Sequence, residues 1–151
     1  MTRVCIVGNE DMNLRYELLS RETSRDALAT YELREPFANS VAVDTVSLGA
    51  AVSLLNDLNW YLVRFAEHAL VREPSIDTEE WLSRDLARAV RDGRLQPDET
   101  DEYAAVFGVV DDRLVEPMYV SRIEGGLPEY DLRDVDRTVV VRLTAAEFDA
   151  G

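Results

Sequence analysis

Between Leu48 and Val71 the apolar residues Leu48, Val52, Leu55, Leu58, Leu62, Phe65, Ala69 and Leu70 recur three and four positions apart. That period lays one apolar stripe along a helix, so the segment predicts a long amphipathic helix that must bury one face against something flat. Ser47 stands where an N-cap hydroxyl is needed, and Pro74 lies just beyond the far end. The rest of the chain has to supply the flat partner.

Strand-like runs do so. Arg3 to Gly8 (RVCIVG) is a β-branched, nearly continuous apolar run that stops at glycine, as an interior strand would. Thr30 to Arg34 and Val41 to Val46 alternate with period two around Pro36, Ala38 and Asn39, which predicts an antiparallel pair. Leu114 to Ile123, interrupted by Pro117, and Arg137 to Leu143, with Val139, Val141 and Leu143 on one face, read as further strands joined by a loop over Glu124 to Tyr130. Three more helices are expected. Asn13 to Leu28 carries Leu14, Leu18 and Leu19 at helical spacing, although Asn13 to Leu19 also fits a strand hairpinned to the first. Asp77 and Glu80 form a capping-box-like start for Thr78 to Asp92, which Gly93 would end, and Pro97 opens a shorter helix through Phe107.

In order, these elements predict an α+β fold with an antiparallel or mixed sheet covered by helices. The ferredoxin-like sequence β-α-β-β-α-β with two inserted helices fits best. With 151 residues, 46% of them hydrophobic, a single domain over 1–151 can bury one core without disulfides or metal. Such topologies host sensors, binders, dimerisation modules and enzymes, so the fold does not select a function.

The chain has 30 acidic and 16 basic residues, a formal charge of −14, and every basic residue is arginine. Self-repulsion of that size opposes compaction in dilute salt, whereas at molar ionic strength the Debye length falls to roughly 3 Å and screens it. An acidic, lysine-free surface resembles that of cytoplasmic proteins from haloarchaea. The opening MTRVCIVG and the stretch SLGAAVSLLNDLNWYLVRFAEHALV are similar to an uncharacterised haloarchaeal family of unknown function, a resemblance that implies no site. The lone Cys5 excludes an intramolecular disulfide and a Cys-rich metal site, and fits an intracellular chain. No apolar run approaches the roughly 20 residues of a membrane span, and Asn9, Glu10 and Asp11 cut short any signal-peptide core.

Few residues suggest chemistry. Cys5, inside a strand, reads as a buried structural thiol. The VGNED turn lacks the spaced glycines of a dinucleotide fingerprint, Gly125 and Gly126 precede Pro128 in a loop, and the absence of lysine excludes a P-loop. His68 is the only histidine, so multi-histidine metal sites are excluded; Asp111 with Asp112, and Asp98 with Asp101 and Glu102, read as solvated carboxylates in so acidic a chain. No catalytic residue, metal or cofactor is assigned. The informative cluster is Asn56, Asp57, Trp60, Arg64, Glu67 and His68, which on a continuous helix would share one polar stripe with Arg64 stacked on Trp60. Trp and Arg anchor interfaces, so the stripe, with Asn56, Asp57, Trp60, Arg64 and His68 as contacts, and the sheet edge predict a cytoplasmic binding or regulatory module with a protein partner or a second copy of itself. Two rivals remain. One is a small-molecule enzyme with an anion site near Arg64 and His68. The other is a nucleic-acid binder through the ridge Arg84, Arg88, Arg91 and Arg94, disfavoured because Asp85 and Asp92 interleave it and high salt weakens counterion-release binding.

Overall fold

The computed structural model describes residues 1–122 and 135–151. The first run is indeed a strand, β1 (Thr2–Gly8), buried on both faces. Asn13 to Leu28 is helical but broken into α1 (Leu14–Ser20) and α2 (Glu22–Leu28). The Asn13 side chain caps α1 by accepting from Tyr16 N. Then follow β2 (Ser40–Thr45), α3 (Leu48–Asp57), α4 (Asn59–Phe65), β3 (Ala66–Arg72), β4 (Trp81–Ser83) and α5 (Arg84–Arg91). A 3-10 turn at Pro97–Glu99 leads into β5 (Tyr103–Val110) and β6 (Arg113–Ser121), and the chain continues through β7 (Arg137–Leu143) into α6 (Ala145–Ala150).

The strands form one seven-stranded sheet in the order β2-β1-β3-β4-β7-β5-β6. Every pairing is antiparallel except β4 with β7, so the sheet is mixed and the α+β class holds. The ferredoxin-like order does not. That order needs a split β-α-β, but β1 and β2, joined through α1 and α2, are antiparallel neighbours, and β3 flanks β1 antiparallel on the other side.

Several expected elements are also corrected. The helix over Leu48 to Val71 stops at Leu58, restarts, and ends at Ala66, beyond which the chain is strand β3. Asn56, Asp57 and Asn59 are poor helix formers clustered at the break. Past it, pairing with β1 satisfies the backbone and puts Val71 in one core and Leu70 in the other. The helix over Thr78 to Asp92 begins later: Asp77 accepts from Glu79 N and Glu80 N at 2.8 and 2.7 Å, but as a turn that feeds β4, and Ser83 is the true N-cap. The helix over Pro97 to Phe107 shrinks to the 3-10 turn, and Ala104 to Phe107 lie in β5, buried on both faces. Thr30 to Arg34 gives only an isolated bridge from Arg34 to Ala42. The predicted loop over Glu124 to Tyr130 lies outside the described residues, as does Ile123 at the end of the predicted Leu114 to Ile123 strand.

One face of the sheet is covered by α1 to α5, with Val4, Ile6, Val71 and Leu82 packed on Leu14, Leu18, Leu55, Leu58 and Leu86. The other face curls on itself. Cys5, Leu70, Trp81, Phe107, Val109, Val139 and Val141 form a second core with Phe37. His68 on β3 meets Phe107 on β5 edge-to-face at 5.0 Å across the concavity. The curl is fastened at its open side, where Ala38 N donates to Asp112 O at 2.8 Å. Asp111 and Asp112, with φ of 51° and 62°, make the two-residue β5–β6 turn through their backbone conformation. Gly8 is required by close approach: a Cβ there would lie 2.7 Å from Asn39 Nδ2 and 2.8 Å from Leu14 Cβ.

The two halves of the sheet join at the short parallel contact between β4 and β7. There Arg142, 8% exposed, donates from Nε to Glu80 at 2.8 Å, from a terminal nitrogen to Thr100 Oγ1 at 2.9 Å, and from the other to Asp77 at 3.3 Å. Arg122 donates to the same Glu80 oxygen at 2.8 Å. Removing the cation leaves Glu80 and Thr100 desolvated with fewer partners. Arg142→Ala is therefore expected to lower the unfolding free energy by about 3 kcal/mol, read as a reduced denaturant midpoint; a change under about 0.5 kcal/mol, the level of an ordinary surface substitution, would show that the network does not hold the junction.

Candidate functional site

Strand β3 alternates, and its residues His68, Leu70 and Arg72 take the same face as Cys5 and Arg3 of β1. That face is the concave one. At the end of the concavity nearest α4 and α6, His68 lines a pocket of about 510 Å³ whose apolar walls are Leu70, Ala105, Phe107, Val141 and Leu143. Glu67, Arg84, Asp85, Tyr119 and Glu147 stand around it, and Val63 and Ala150 border it from α4 and α6.

Each polar group is placed by local structure. Ser83 caps α5 by accepting from Leu86 N, and its hydroxyl donates to Glu147 at 2.6 Å. Glu147 also closes a capping box with Thr144 at the start of α6, so this carboxylate is held by two partners. Arg84 reaches back under the break between α3 and α4, donating to Asn59 at 2.8 Å, to Asn56 at 3.2 Å and to the Leu55 carbonyl at 3.3 Å. Its Nε is buried without a hydrogen-bond partner. Burial pushes His68 below the ordinary imidazole range, against the weaker pull of Glu67, whose carboxylate lies 4.0 Å from Nε2. The neutral ring offers one donor and one acceptor. Cys5 is fully buried, and burial lifts its thiol to about 12, so it presents no thiolate.

The expected polar stripe is divided by the two breaks in the helix. Arg64 does stack on Trp60, with its guanidinium carbon 3.8 Å from the ring centroid, and Arg21 approaches the same ring at 5.3 Å. Trp60 is 46% exposed, beside Val63 at 73%. Asn56 and Asp57 are exposed on α3, with Asn56 engaged by Arg84. His68 is separated from this group and turned into the pocket. The arginine ridge is likewise dispersed: Arg84 is tied to α3 and α4, Arg91 and Arg94 both engage Asp92 at 2.9 and 3.6 Å, and Arg88 is half-buried. Sequence reasoning missed Ser83, Phe107 and Glu147 as pocket residues. The alternation of His68, Leu70 and Arg72 against Ala69 and Val71 was the available signal, hidden under the helical period.

The protein is thus of the α+β class, built on a curled mixed sheet whose concave face carries an open pocket beside its one histidine. The chain belongs to DUF5804, a family of unknown function whose model matches residues 2–109, from β1 almost to the end of β5. No curated protein and no solved structure matches it.

Because the folded His68 value lies below the unfolded one of about 6.5, the neutral ring favours the folded state above that pH. Stability is expected to fall as pH drops below the unfolded value, with the loss complete once the folded value is passed. The ring resonances of His68, the sole histidine, should titrate below about 6.5. His68→Gln should flatten this part of the stability profile, and a ring that titrates at or above the unfolded value would contradict its burial.

Proposed function

We propose that this protein binds a small organic molecule with an apolar body in the pocket beside His68. The observation that carries this reading is the combination of a concave, mostly apolar pocket with one neutral imidazole and the unpartnered Arg84 Nε. Binding sites are of this kind, apolar walls with a few placed polar groups, and a histidine shifted by burial is a marker of them. Glu67, Asp85 and Glu147 outnumber Arg84 around the pocket, which favours neutral or cationic ligands over anions. Val63 and Ala150 border the entrance, so Ala150→Trp, at an exposed helix position, fills it without disturbing the core. Compact hydrophobic amines and neutral heterocycles, screened by the His68 ring resonances, should shift those resonances saturably, and Ala150→Trp should abolish the response. A panel that leaves the ring unmoved would refute the reading.

A second reading rests on Trp60 and Val63, both exposed on α4. In this reading Asn56, Asp57, Trp60 and Arg64 contact a protein partner or a second copy of the chain, with His68 at the border of that surface. Trp60→Ala would then lower the mass in solution or release a co-purifying protein while the His68 response stays intact. Binding of nucleic acid by Arg84, Arg88, Arg91 and Arg94 has less support, because Asp92 neutralises two of them.

The acidic, lysine-free composition supports a further part of the proposal: a single domain working in the cytoplasm of a halophilic archaeon. Screening of the −14 charge should raise the thermal midpoint steadily from dilute to molar KCl. A midpoint independent of KCl would remove the argument for a saline interior.

A further inference from the structure

At the opposite end of the same concave face lies a second cavity, of about 490 Å³, bounded by Arg3, Arg72, Arg137, Phe37, Trp81 and Thr78 among others. Two of its arginines lie over aromatic rings. Arg72 lies over the ring of Trp81, 4.8 Å from the centroid, and Arg137 over the ring of Phe37 at 5.3 Å. Both rings are buried, at 4% and 3% exposure, so these are fixed platforms. A guanidinium held over a ring by cation–π attraction keeps its charge, and its N–H groups remain able to donate to a third partner.

The charges around the cavity are unbalanced. Arg3 and Arg72 are directly opposite in the β1–β3 register, and like charges so placed repel. On its other flank Arg3 pairs with Asp44, donating from Nε at 2.8 Å and from a terminal nitrogen at 3.3 Å, and this contact holds the Asp44 carboxyl below its ordinary range. Arg72 and Arg137 make no ion pair with any carboxylate among the described residues. Two acids border the cavity. Glu80 is committed to Arg122 and Arg142, and exposed Glu79 pairs with neither stacked arginine. In a chain with 30 carboxylates for 16 arginines, two ring-supported guanidiniums line one cavity with no carboxylate partner among the described residues, which makes that cavity suited to an oxyanion.

The geometry points to a binding site for a small oxyanion, a carboxylate or a phosphate group, taken by the N–H groups of Arg72 and Arg137 with Arg3 adding charge beside them. This is independent of the pocket at His68, whose surroundings are acidic. Guanidinium edges match both anions bidentately, so the chemistry is shared and the source is left to the test.

The Trp60→Phe variant leaves Trp81, under Arg72, as the only tryptophan and makes its fluorescence a local reporter. Inorganic phosphate and malonate, titrated separately in molar KCl, should change that emission saturably, the tighter of the two identifying a phosphate or a carboxylate ligand. Arg72→Gln and Arg137→Gln should each weaken binding by about tenfold or more, the scale of one charge-assisted hydrogen-bond pair. Arg137 is exposed, so its variant tests the site even if Arg72→Gln fails to fold. Absence of a saturable response to either anion, or equal affinity in the parent and in Arg137→Gln, would overturn the assignment.

Discussion

The parallel contact between β4 and β7 is the constraint on which the architecture rests. Trp81 faces Val141 and Leu82 faces Arg142, and through these few residues the half-sheet β2-β1-β3-β4 continues into β7-β5-β6. A strand of three residues supplies little ladder energy, so side chains must do the rest. On the helical side Arg142 gathers Glu80, Asp77 and Thr100 from the segments before β4 and β5. On the concave side Trp81 packs against Leu70, Val139 and Val141. A charge network in this position gives little net stability over an apolar substitute, but it fixes register, because only one alignment of β7 on β4 brings Arg142 to Glu80. Asp77 contributes from a turn whose backbone donors, chiefly Glu80 N, together with Arg142, keep its carboxyl below the ordinary range. Its stabilising share is present at neutral pH and is lost as pH falls through that lowered value.

The curl follows from the same shortness. Because β4 spans only Trp81 to Ser83, β3 runs past its Ser83 end and β7 past its Trp81 end. The sheet bends there until His68 reaches Phe107. The middle of the concavity fills with Cys5, Phe37, Leu70 and Phe107, and its two ends stay open. Both cavities are therefore consequences of one short strand. Their chemistry differs through alternation alone: on β3, two-residue steps on one face run from His68 through Leu70 to Arg72, so one strand delivers an imidazole to one end and a guanidinium to the other.

What could be read from the sequence depended on whether local and tertiary signals agreed. β1, β2, β6 and β7 were legible because their alternation or continuous β-branched character has no helical counterpart. Residues 66–72 were not, because Phe65, Ala69 and Leu70 continue the helical spacing of Leu58 and Leu62, while the period-two pattern is only one strand long. Central pairing with β1 decided between them, and that partner is distant in sequence. Residues 103–107 failed for the converse reason: Ala104 and Ala105 favour helix in isolation, yet small side chains suit a strand buried on both faces. The candidate site inherited these errors. Arg64 on Trp60 was legible as a contact within one helical turn, whereas His68 was assigned to the wrong element and so to the wrong surface.

The acidic composition changes how the remaining cations should be weighed. In a chain of balanced charge an unpaired surface arginine carries little information, since water solvates it readily. Here carboxylates are nearly twice as frequent as guanidiniums, and among the described residues Arg3, Arg91, Arg94, Arg122 and Arg142 each meet one, whereas Arg84 is held by amides and a carbonyl and Arg64 by an aromatic ring. Arg72 is half-buried and Arg137 exposed, and each lies over an aromatic ring with no carboxylate partner among the described residues. Stacking stabilises the cation without neutralising it. Their charges therefore remain un-neutralised by any described carboxylate, and low-dielectric walls from Phe37 and Trp81 strengthen their pull on a nearby anion. A solvent-adapted surface explains the acids; it does not explain why these two arginines are held apart from them.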